Sequence, residues 1–170
     1  MNILQIVLTG IFAIVAIEFW NEFLKPKKLL KFKRISPTAQ IPERATSGAA
    51  CFDLHYCNFD RVGVLKGQTK IISTGLKVEI PKGYALLLFS RSGHAYSSGL
   101  RLANCVGVID SDYRGEIKVM MHSDLTDVII KPRERIAQAM LVKLPDLDLV
   151  EVDELSETLR GCRGFGSTGK

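Results

Sequence analysis

The sequence predicts an all-β domain of the sandwich or jelly-roll type, preceded by a single hydrophobic helix. From about Leu29 onward, short apolar runs alternate with turn residues, and no convincing amphipathic helix interrupts them. Many short strands separated by frequent turns are typical of sandwiches and jelly rolls. Residues 3–20, by contrast, form a nearly unbroken apolar stretch. With 170 residues, 46% of them hydrophobic, the chain is long enough for one domain with a sizeable core.

The amino-terminal stretch is predicted to be a membrane anchor within residues 1–24. As a helix, residues 3–20 would span about 27 Å, slightly less than a hydrocarbon core of about 30 Å. Trp20 suits an interfacial boundary, and the cations follow the apolar run, whereas a cleavable signal peptide carries them before it. We therefore expect an anchored protein whose catalytic domain faces the cytoplasm. The alternatives are a helix lying in the membrane interface, or a stretch added by a wrong start codon to a soluble cytoplasmic protein.

A basic run follows this stretch, and its first part, residues 25–28, is predicted to be a linker. The run holds six cations and no acid, namely Lys25, Lys27, Lys28, Lys31, Lys33 and Arg34. Of the 23 basic residues, 17 remain outside it against 18 acidic residues, so the folded body is close to neutral. A nucleic-acid-binding protein usually carries a broad basic patch, and we therefore expect no nucleic-acid partner.

The cysteines and histidines indicate no metal centre. The spacings of Cys51, Cys57, Cys105 and Cys162 match neither a zinc motif nor a Cys-x-x-Cys pair. The absence of a secretory signature favours reduced thiols, although a disulfide pair stays open at this point. None of the three histidines has a partner at metal-ligand spacing.

The strands are predicted from apolar runs and the turn residues between them. In chain order they are Leu30–Ile35, Ala50–Tyr56, Val62–Leu65, Thr69–Ser73, Leu76–Ile80, Tyr84–Phe89, Cys105–Ile109, Glu116–Met121, Val128–Ile130, Ala137–Val142 and Leu149–Val152. The amino-terminal helix is the only helix expected, with a short 3₁₀ turn at Tyr96–Gly99.

Two segments carry polar groups directly after a predicted strand. Arg91-Ser92-Gly93 combines a guanidinium, a hydroxyl and a free backbone N–H, which together suit a phosphate group, although a capped turn is the alternative. In the second segment, Asp110 follows an apolar strand, where a carboxylate can hold a water molecule rigidly. Tyr113, three residues on, offers a flat wall for a sugar, the alternative being an Asx turn with a buried tyrosine.

Other polar residues belong to predicted strands. Gln138 presents both a donor and an acceptor, whereas Arg135 is interpreted as an ion-pair partner. Asp53 stands between Phe52 and Leu54, and strand alternation places its side chain on the opposite face from those two neighbours.

The last eleven residues, 160–170, are predicted to form a mobile lid. They combine four glycines with the cations Arg160, Arg163 and Lys170, the hydroxyls of Ser167 and Thr168, and the aromatic ring of Phe165. Glycine lets backbone N–H groups turn toward an anion. A P-loop would need a following helix, and here the chain ends. The alternative is a disordered glycine-rich terminus.

In their order and spacing these segments resemble the five motifs of the trimeric dUTPase family. The match runs from about Leu29 to Lys170, with a β-domain over 29–159, and two motifs are nearly complete: Gly-Val-Ile-Asp-Ser-Asp-Tyr-Arg-Gly-Glu and Arg-Gly-x-x-Gly-Phe-Gly-Ser-Thr-Gly. The resemblance implies a jelly-roll homotrimer that hydrolyses dUTP to dUMP and pyrophosphate with Mg²⁺. It also implies active sites at subunit interfaces, each completed by another subunit's tail.

The resemblance further implies a role for each motif residue. Asp110 would orient the attacking water, Tyr113 would pack under the deoxyribose, and Asn104 would read the uracil edge together with the strand backbone at Val108 and Ile109. Arg91, Ser92, Gly93 and Gln138 would hold the phosphates, and Asp53 would act on the metal through water. Phe165 would stack on uracil, with Gly166 beside it, while Arg160, Ser167 and Thr168 would clasp the γ-phosphate.

Two positions depart from the family pattern, and two other functions compete with this one. Cys51 stands where glycine is usual, and His94 stands where an aliphatic residue is common. A dCTP deaminase shares the fold, but it typically lacks the Gly-Phe-Gly-Ser-Thr tail. A non-catalytic, membrane-tethered nucleotide-binding module is the other alternative, although Asp110 and the tail are both present.

Overall fold

The architecture was obtained from a computed structural model that describes residue 20 and residues 28–164. Ten strands and one seven-residue helix form its regular structure within 28–164. The strands are β1 (Lys31–Arg34), β2 (Phe52–His55), β3 (Val62–Val64), β4 (Thr69–Glu79), β5 (Tyr84–Phe89), β6 (Leu100–Leu102), β7 (Gly107–Ile109), β8 (Glu116–Ser123), β9 (Val128–Ile130) and β10 (Arg135–Lys143), and the helix is α1 (Ser92–Ser98). The predicted all-β domain is confirmed.

The strands form two four-stranded antiparallel sheets and one small two-stranded sheet. The first sheet has the order β1-β4-β8-β6, the second has the order β2-β10-β5-β7, and β3 pairs with β9. Residues of both large sheets belong to a single buried cluster, for example Ile72 and Met121 of the first and Leu54, Leu86 and Ile136 of the second. In β8 the buried and solvent-facing positions alternate, as expected for a sheet with one face on the core.

One predicted turn is a bulge inside a continuous strand. The sequence suggested two strands separated at Thr74 and Gly75, but β4 runs through both residues, and its pairing with β8 shifts between Ser73 and Lys77. Gly75 has a φ of 66° there, and an added Cβ would lie 2.8 Å from the Cβ of Ser36. Glycine at this position therefore allows the strand to bend without ending.

The helical prediction for the body is corrected, because the chain forms α1 where only a short 3₁₀ turn at Tyr96–Gly99 was expected. This helix has no buried residue, which explains why it left no amphipathic pattern in the sequence. Gly99 ends it in the left-handed conformation, with a φ of 70°.

Two strand predictions are also corrected. β6 was missed, since its three residues are too few for a pattern and it is defined by pairing with β8. Leu149–Val152 has the alternation of a strand but forms none, because no strand of the described chain pairs with it. Every residue from 144 to 160 is exposed instead.

The prediction of a membrane-type helix before the β-domain is not upheld. A membrane-spanning helix needs about 20 apolar residues, and in residue 20 and residues 28–164 no helix is long and apolar enough to cross a bilayer. Residues 1–19 and 21–27, which supplied most of that prediction, lie outside the described residues.

Candidate active site

A first pocket lies beside β7 and the turn that follows it. Its volume is about 250 Å³, and it is lined by the predicted residues Asn104, Val108, Ile109, Asp110 and Tyr113. Asp110 is exposed at the end of β7, as the sequence predicted, and its carbonyl oxygen accepts a hydrogen bond of 3.2 Å from the Tyr113 amide. A carboxylate thus stands beside an aromatic wall at the mouth of one pocket.

The position of the Tyr113 ring depends on its neighbours in the turn. Its hydroxyl donates to the carbonyl oxygen of Glu116 over 3.0 Å, and the side chain remains 44% exposed. Gly115 lies beneath the ring, so close that an ideal Cβ there would be 2.2 Å from the hydroxyl oxygen. The Tyr113 side chain therefore bends back over a glycine and keeps one surface toward the pocket.

Asn104 enters the same pocket from the turn between β6 and β7. Cys105 adopts a positive φ of 61°, and the amide of Val106 donates to the Asn104 carbonyl oxygen over 2.6 Å. Gly107 is in close contact with Leu88, since an added Cβ would lie 3.1 Å from the Cβ of Leu88. Glycine at position 107 therefore lets β7 pack closely against Leu88 of β5.

The second pocket, of about 340 Å³, lies at the start of α1. Its lining includes five residues singled out in the sequence, Asp53, Arg91, Ser92, Gly93 and Gln138. Cys51 and Arg135 line it as well. We call the residues Asp53, Arg91, Ser92, Gly93, Arg135 and Gln138 the phosphate clamp.

Charge pairing organises the phosphate clamp. Arg91 Nε lies 3.2 Å from one carboxylate oxygen of Asp53, and Arg135 Nη1 lies 3.2 Å from the other. Only 15% of the Asp53 side chain is exposed, so both guanidiniums are held by a largely enclosed carboxylate. The ion-pair role predicted for Arg135 is thus observed, and Arg135 also faces the pocket. Its 49% side-chain exposure leaves it accessible to an anion.

Gln138 is held between neighbouring strands. In the sheet register it lies opposite Asp53 on one side and Phe89 on the other, and its side-chain nitrogen donates to the Ser90 carbonyl oxygen over 2.9 Å. The amide is thereby fixed at the end of β5, next to the first residues of α1.

Next to the clamp, the pKa of His55 is lowered from its usual value of 6.5. Burial is the main cause that lowers the pKa of its imidazole, and the nearby Arg135 and Arg91 add to this effect, although Asp53 opposes it. Its Nδ1 atom is buried without a hydrogen-bond partner. The residue types in the sequence predicted neither the lowered pKa nor the unpaired Nδ1 atom.

Asp110 and Gln138 lie beside opposite ends of β5. Ile109 pairs with Leu86, which extrapolates to Asp110 beside Ala85, whereas Gln138 pairs with Phe89. The backbones of Asp110 and Gln138 are therefore about 16 Å apart, because four residues along a strand and two strand spacings across the sheet lie between them. One chain therefore brings the predicted nucleoside residues together and the predicted phosphate residues together, but it holds Asp110 apart from Gln138.

The predicted lid is described only in part. Arg160 and Arg163 are exposed, and each Nε atom donates to the other residue's carbonyl oxygen, over 3.0 and 3.1 Å. Phe165, Gly166, Ser167 and Thr168 lie outside the described residues. Within 28–164 no cluster of three histidine, cysteine or acidic side chains could hold a metal ion.

Sequence reasoning missed two residues that line the first pocket, Glu116 and Lys118. Glu116 Oε1 accepts from the Gly75 amide over 2.9 Å, and Lys118 Nζ lies 3.9 Å from Glu116 Oε2. Residues 116 and 118 are two apart, so period-two alternation places both side chains on the same face of β8. The sequence could have indicated this only if the start of β8 had been known.

Comparison with known proteins identifies one family throughout. A family model described as dUTPase matches residues 37–169. The deoxyuridine 5'-triphosphate nucleotidohydrolase of Nautilia profundicola is 46% identical over 142 residues, covering 83% of this chain and 99% of the relative. The corresponding protein of Hydrogenobaculum sp. is 44% identical, covering 82% of this chain and 97% of the relative.

Solved structures agree with this similarity. The dUTPase of Staphylococcus bacteriophage 80alpha, in complex with dUpNHpp, superposes with a TM-score of 0.76 at 28% identity, covering 85% of this chain and all (100%) of the phage protein. A mutant dUTPase from phage phi11 of S. aureus, which coordinates a structural Mg(II) ion, has a TM-score of 0.66 at 24% identity and covers 74% of this chain and 97% of its own. The latter likeness shows the fold alone.

Proposed function

Since this chain belongs to the dUTPase family, we propose that it hydrolyses dUTP to dUMP and pyrophosphate. Such an activity removes dUTP from the nucleotide pool and supplies dUMP for dTMP synthesis. The proposal is carried by one observation, that Asp110 and Tyr113 line the mouth of the same pocket. The relatives that match most of this chain are named deoxyuridine 5'-triphosphate nucleotidohydrolases.

The nucleoside would occupy the first pocket. Asn104 and the backbone at Val108 and Ile109 supply donors and acceptors for the uracil edge, and the surface of Tyr113 supports the deoxyribose. A pocket matched to the polar edge of uracil leaves unpaired groups against cytosine, and steric contact at C5 disfavours the thymine methyl. The same tyrosine leaves little room for a 2'-hydroxyl.

Asp110 would be the catalytic residue. Its exposed carboxylate can orient a water molecule and accept its proton as the water oxygen bonds to the α-phosphorus. The bond from the α-phosphorus to the α–β bridging oxygen then breaks, and that oxygen leaves with pyrophosphate. The charge on the departing group would be stabilised by the phosphate clamp, through the guanidinium of Arg91 and through two neutral donors, the hydroxyl of Ser92 and the amide of Gly93.

The separation of Asp110 from Gln138 supports active sites built between subunits. A nucleotide with its base at Asn104 and its sugar on Tyr113 would direct its phosphates past Asp110, away from the same chain's clamp. The backbones of Asp110 and Gln138 lie about 16 Å apart along and across the sheet, whereas reacting groups must approach to about 3–3.5 Å. A second subunit would therefore supply the clamp, and a homotrimer, which is typical of this family, would form three such sites.

Exposed apolar side chains support the same assembly. Ile71 of β4 and Met120 of β8 are opposite each other in the register, and they are 63% and 38% exposed. The exposed segment 144–159 adds Leu147, Leu149 and Leu155. Such surfaces ordinarily become buried against a partner. An extended segment also gives the tail, residues 160–170, the reach to cover a site on another subunit.

Mg²⁺ fits this site as a companion of the substrate. Mg²⁺ prefers phosphate oxygens and water to an all-protein cage, so its binding with the substrate requires no three-ligand cluster of side chains. Asp53, the enclosed carboxylate of the clamp, would contact the ion through water. When bound, the ion would neutralise the charge that builds up on the phosphates.

The assay that tests the proposal compares three nucleotides. The full-length protein is incubated with dUTP, dCTP or dTTP in the presence of Mg²⁺, and pyrophosphate and ammonia are measured. Release of pyrophosphate from dUTP alone is the expected result. Ammonia from dCTP would instead identify a deaminase, and absence of turnover with all three would indicate a non-catalytic nucleotide-binding module.

A further inference from the structure

Arg114 lies in the turn between β7 and β8, and its side chain bonds to the backbone of that same turn. Its Nη1 atom donates to the carbonyl oxygen of Ser111 over 2.7 Å and to the carbonyl oxygen of Tyr113 over 2.9 Å. The turn carries both Asp110 and Tyr113, which line the first pocket. One guanidinium nitrogen therefore ties together the segment that presents the carboxylate and the aromatic wall.

Few other hydrogen bonds hold this turn. Between residues 110 and 115 of the described chain, the backbone makes one hydrogen bond to itself, the 3.2 Å bond from the Tyr113 amide to the Asp110 carbonyl oxygen. The Tyr113 hydroxyl donates to Glu116 at the start of β8. The two bonds from Arg114 are thus half of the four that fix the turn, and a cationic donor forms stronger hydrogen bonds than a neutral one.

Arg114 acts on the first pocket from outside it. Its side chain is not among those that line that pocket, but it lines a groove of about 290 Å³ beside the paired strands β1 and β4, with Phe32, Lys33 and Glu79. A nucleotide in the first pocket would therefore be affected by Arg114 through the turn and not by direct contact.

The groove holds the guanidinium from a second side. The pKa of the Glu79 carboxyl is lowered, chiefly by its hydrogen bond with Lys31, and the positive charge of Arg114 adds to this effect. The same attraction draws Arg114 toward β4. The edge formed by β1 and β4 thus gives the turn an anchor outside the pocket.

The exposure of these bonds determines what their loss would change. Both hydrogen bonds from Arg114 are exposed to solvent. Water can replace an exposed donor, so removing the guanidinium changes the stability of the whole domain only slightly. The local order of the turn depends on it more strongly, because so few other bonds hold that segment.

We propose that Arg114 is a positioning residue of the first pocket, which fixes the turn and thereby the places of Asp110 and Tyr113. Asp110 must stay close to the water that it orients, since a displacement of about 1 Å can cost about 10²-fold in rate. Tyr113 must stay against the sugar to leave no room for a 2'-hydroxyl. The proposal rests on the proposed function for the identity of the substrate.

Hydrogen exchange of the full-length protein measures the turn without any nucleotide. We expect the amides of residues 110–116 to exchange about tenfold faster in Arg114→Met than in the wild type, because methionine has no donor for the carbonyls. Arg114→Lys should stay close to the wild type, since its ammonium group carries three donors. The matched control is Lys33→Met, which removes one positive charge from the same groove and leaves both bonds in place.

Kinetics with dUTP and UTP test the consequence for the site. In Arg114→Met, the ratio of kcat/KM for dUTP to that for UTP should fall about tenfold, and kcat for dUTP should fall as well. Lys33→Met should match the wild type, and Arg114→Lys should recover most of both losses. The midpoint of urea denaturation should change little in all three variants, which separates positioning from a general loss of stability.

Four results would overturn the proposal. Equal exchange rates in the wild type and Arg114→Met would show that Arg114 does not fix the turn. Unchanged selectivity for dUTP over UTP would remove the link to the site, and equal losses in Lys33→Met would assign the effect to charge alone. Failure of Arg114→Met to fold would contradict the small change in stability.

Failure of the proposed function is a separate outcome. If the wild-type protein hydrolyses neither dUTP nor UTP, the proposed reaction is wrong. Hydrogen exchange of Arg114→Met and Lys33→Met still measures the role of Arg114 in the turn, because that experiment requires no substrate.

Discussion

The Tyr113 ring lies directly over Gly115, and the space that glycine leaves is the space the ring occupies. A Cβ at residue 115 would come within 2.2 Å of the tyrosine hydroxyl oxygen and 2.4 Å of the ring carbon that carries it. The tyrosine wall of the first pocket therefore depends on a residue that touches no ligand. This relationship explains why the Arg-Gly-Glu sequence after Tyr113 belongs to the site.

We expect Gly115→Ala to lower kcat/KM for dUTP about tenfold or more, since the ring must move away from the sugar position and a loss of about 1.4 kcal/mol is a factor of ten. Steady-state kinetics would measure the effect. Gly63→Ala is the matched control, because a Cβ at Gly63 meets no atom within 4 Å. Equal kcat/KM values for the two variants would contradict the proposed role of the Tyr113 ring.

Asp110→Asn should abolish turnover while leaving nucleotide binding largely intact. Asparagine keeps the shape of the side chain but loses the carboxylate that accepts the proton, a function that contributes typically 10²–10⁴-fold to rate. Single-turnover kinetics and calorimetry with dUpNHpp measure the two effects separately. A near-normal kcat in this variant would show that another group accepts the proton.

Truncation after Leu159 should leave the protein folded and nearly inactive. The removed residues include Arg160 and the predicted lid, whereas every described core residue precedes residue 140. Circular dichroism and sedimentation would report fold and assembly, and the dUTP assay would report activity. If the truncated protein retains its kcat/KM, the lid hypothesis fails.

Thr74→Val should destabilise the domain by about 1–3 kcal/mol. The Thr74 hydroxyl is fully buried in the β4 bulge, donates to the Ile117 carbonyl oxygen over 2.6 Å and accepts from the Leu76 amide over 3.3 Å. Valine has the same shape but leaves both backbone groups unsatisfied. Urea denaturation measures the loss, and the exposed Thr46→Val serves as the control. An unchanged denaturation midpoint would contradict the account of the bulge.

Stability should decrease as pH falls, and His55 should contribute to this decrease. Burial lowers the pKa of His55 in the folded state below its value of 6.5 in the unfolded chain. The unfolded state therefore binds more protons as pH falls through 6.5, and the free energy of unfolding declines below that pH. His55→Gln should make the loss between pH 7 and pH 5 smaller. Urea denaturation across that range, compared with His122→Gln, tests the prediction, and parallel profiles for wild type and His55→Gln would refute it.

Local patterns in the sequence predicted most of the strands. β5 and β9 begin and end where the apolar runs predicted, and Asp110 stands at the end of β7 as expected. These features depend on residues close together in the chain, so periodicity and turn residues are enough to reveal them.

Tertiary structure decided the features that depend on distant residues. The bulge that keeps β4 continuous is stabilised by Glu116, which lies 41 residues after Gly75 in the chain. Strand β6 exists only through its pairing with β8. The register of the second sheet separates Asp110 from the phosphate clamp, although both belong to motifs that the sequence shows equally clearly. A motif specifies which groups are available, but the distance between two motifs is set by strand order and register, which no local pattern contains.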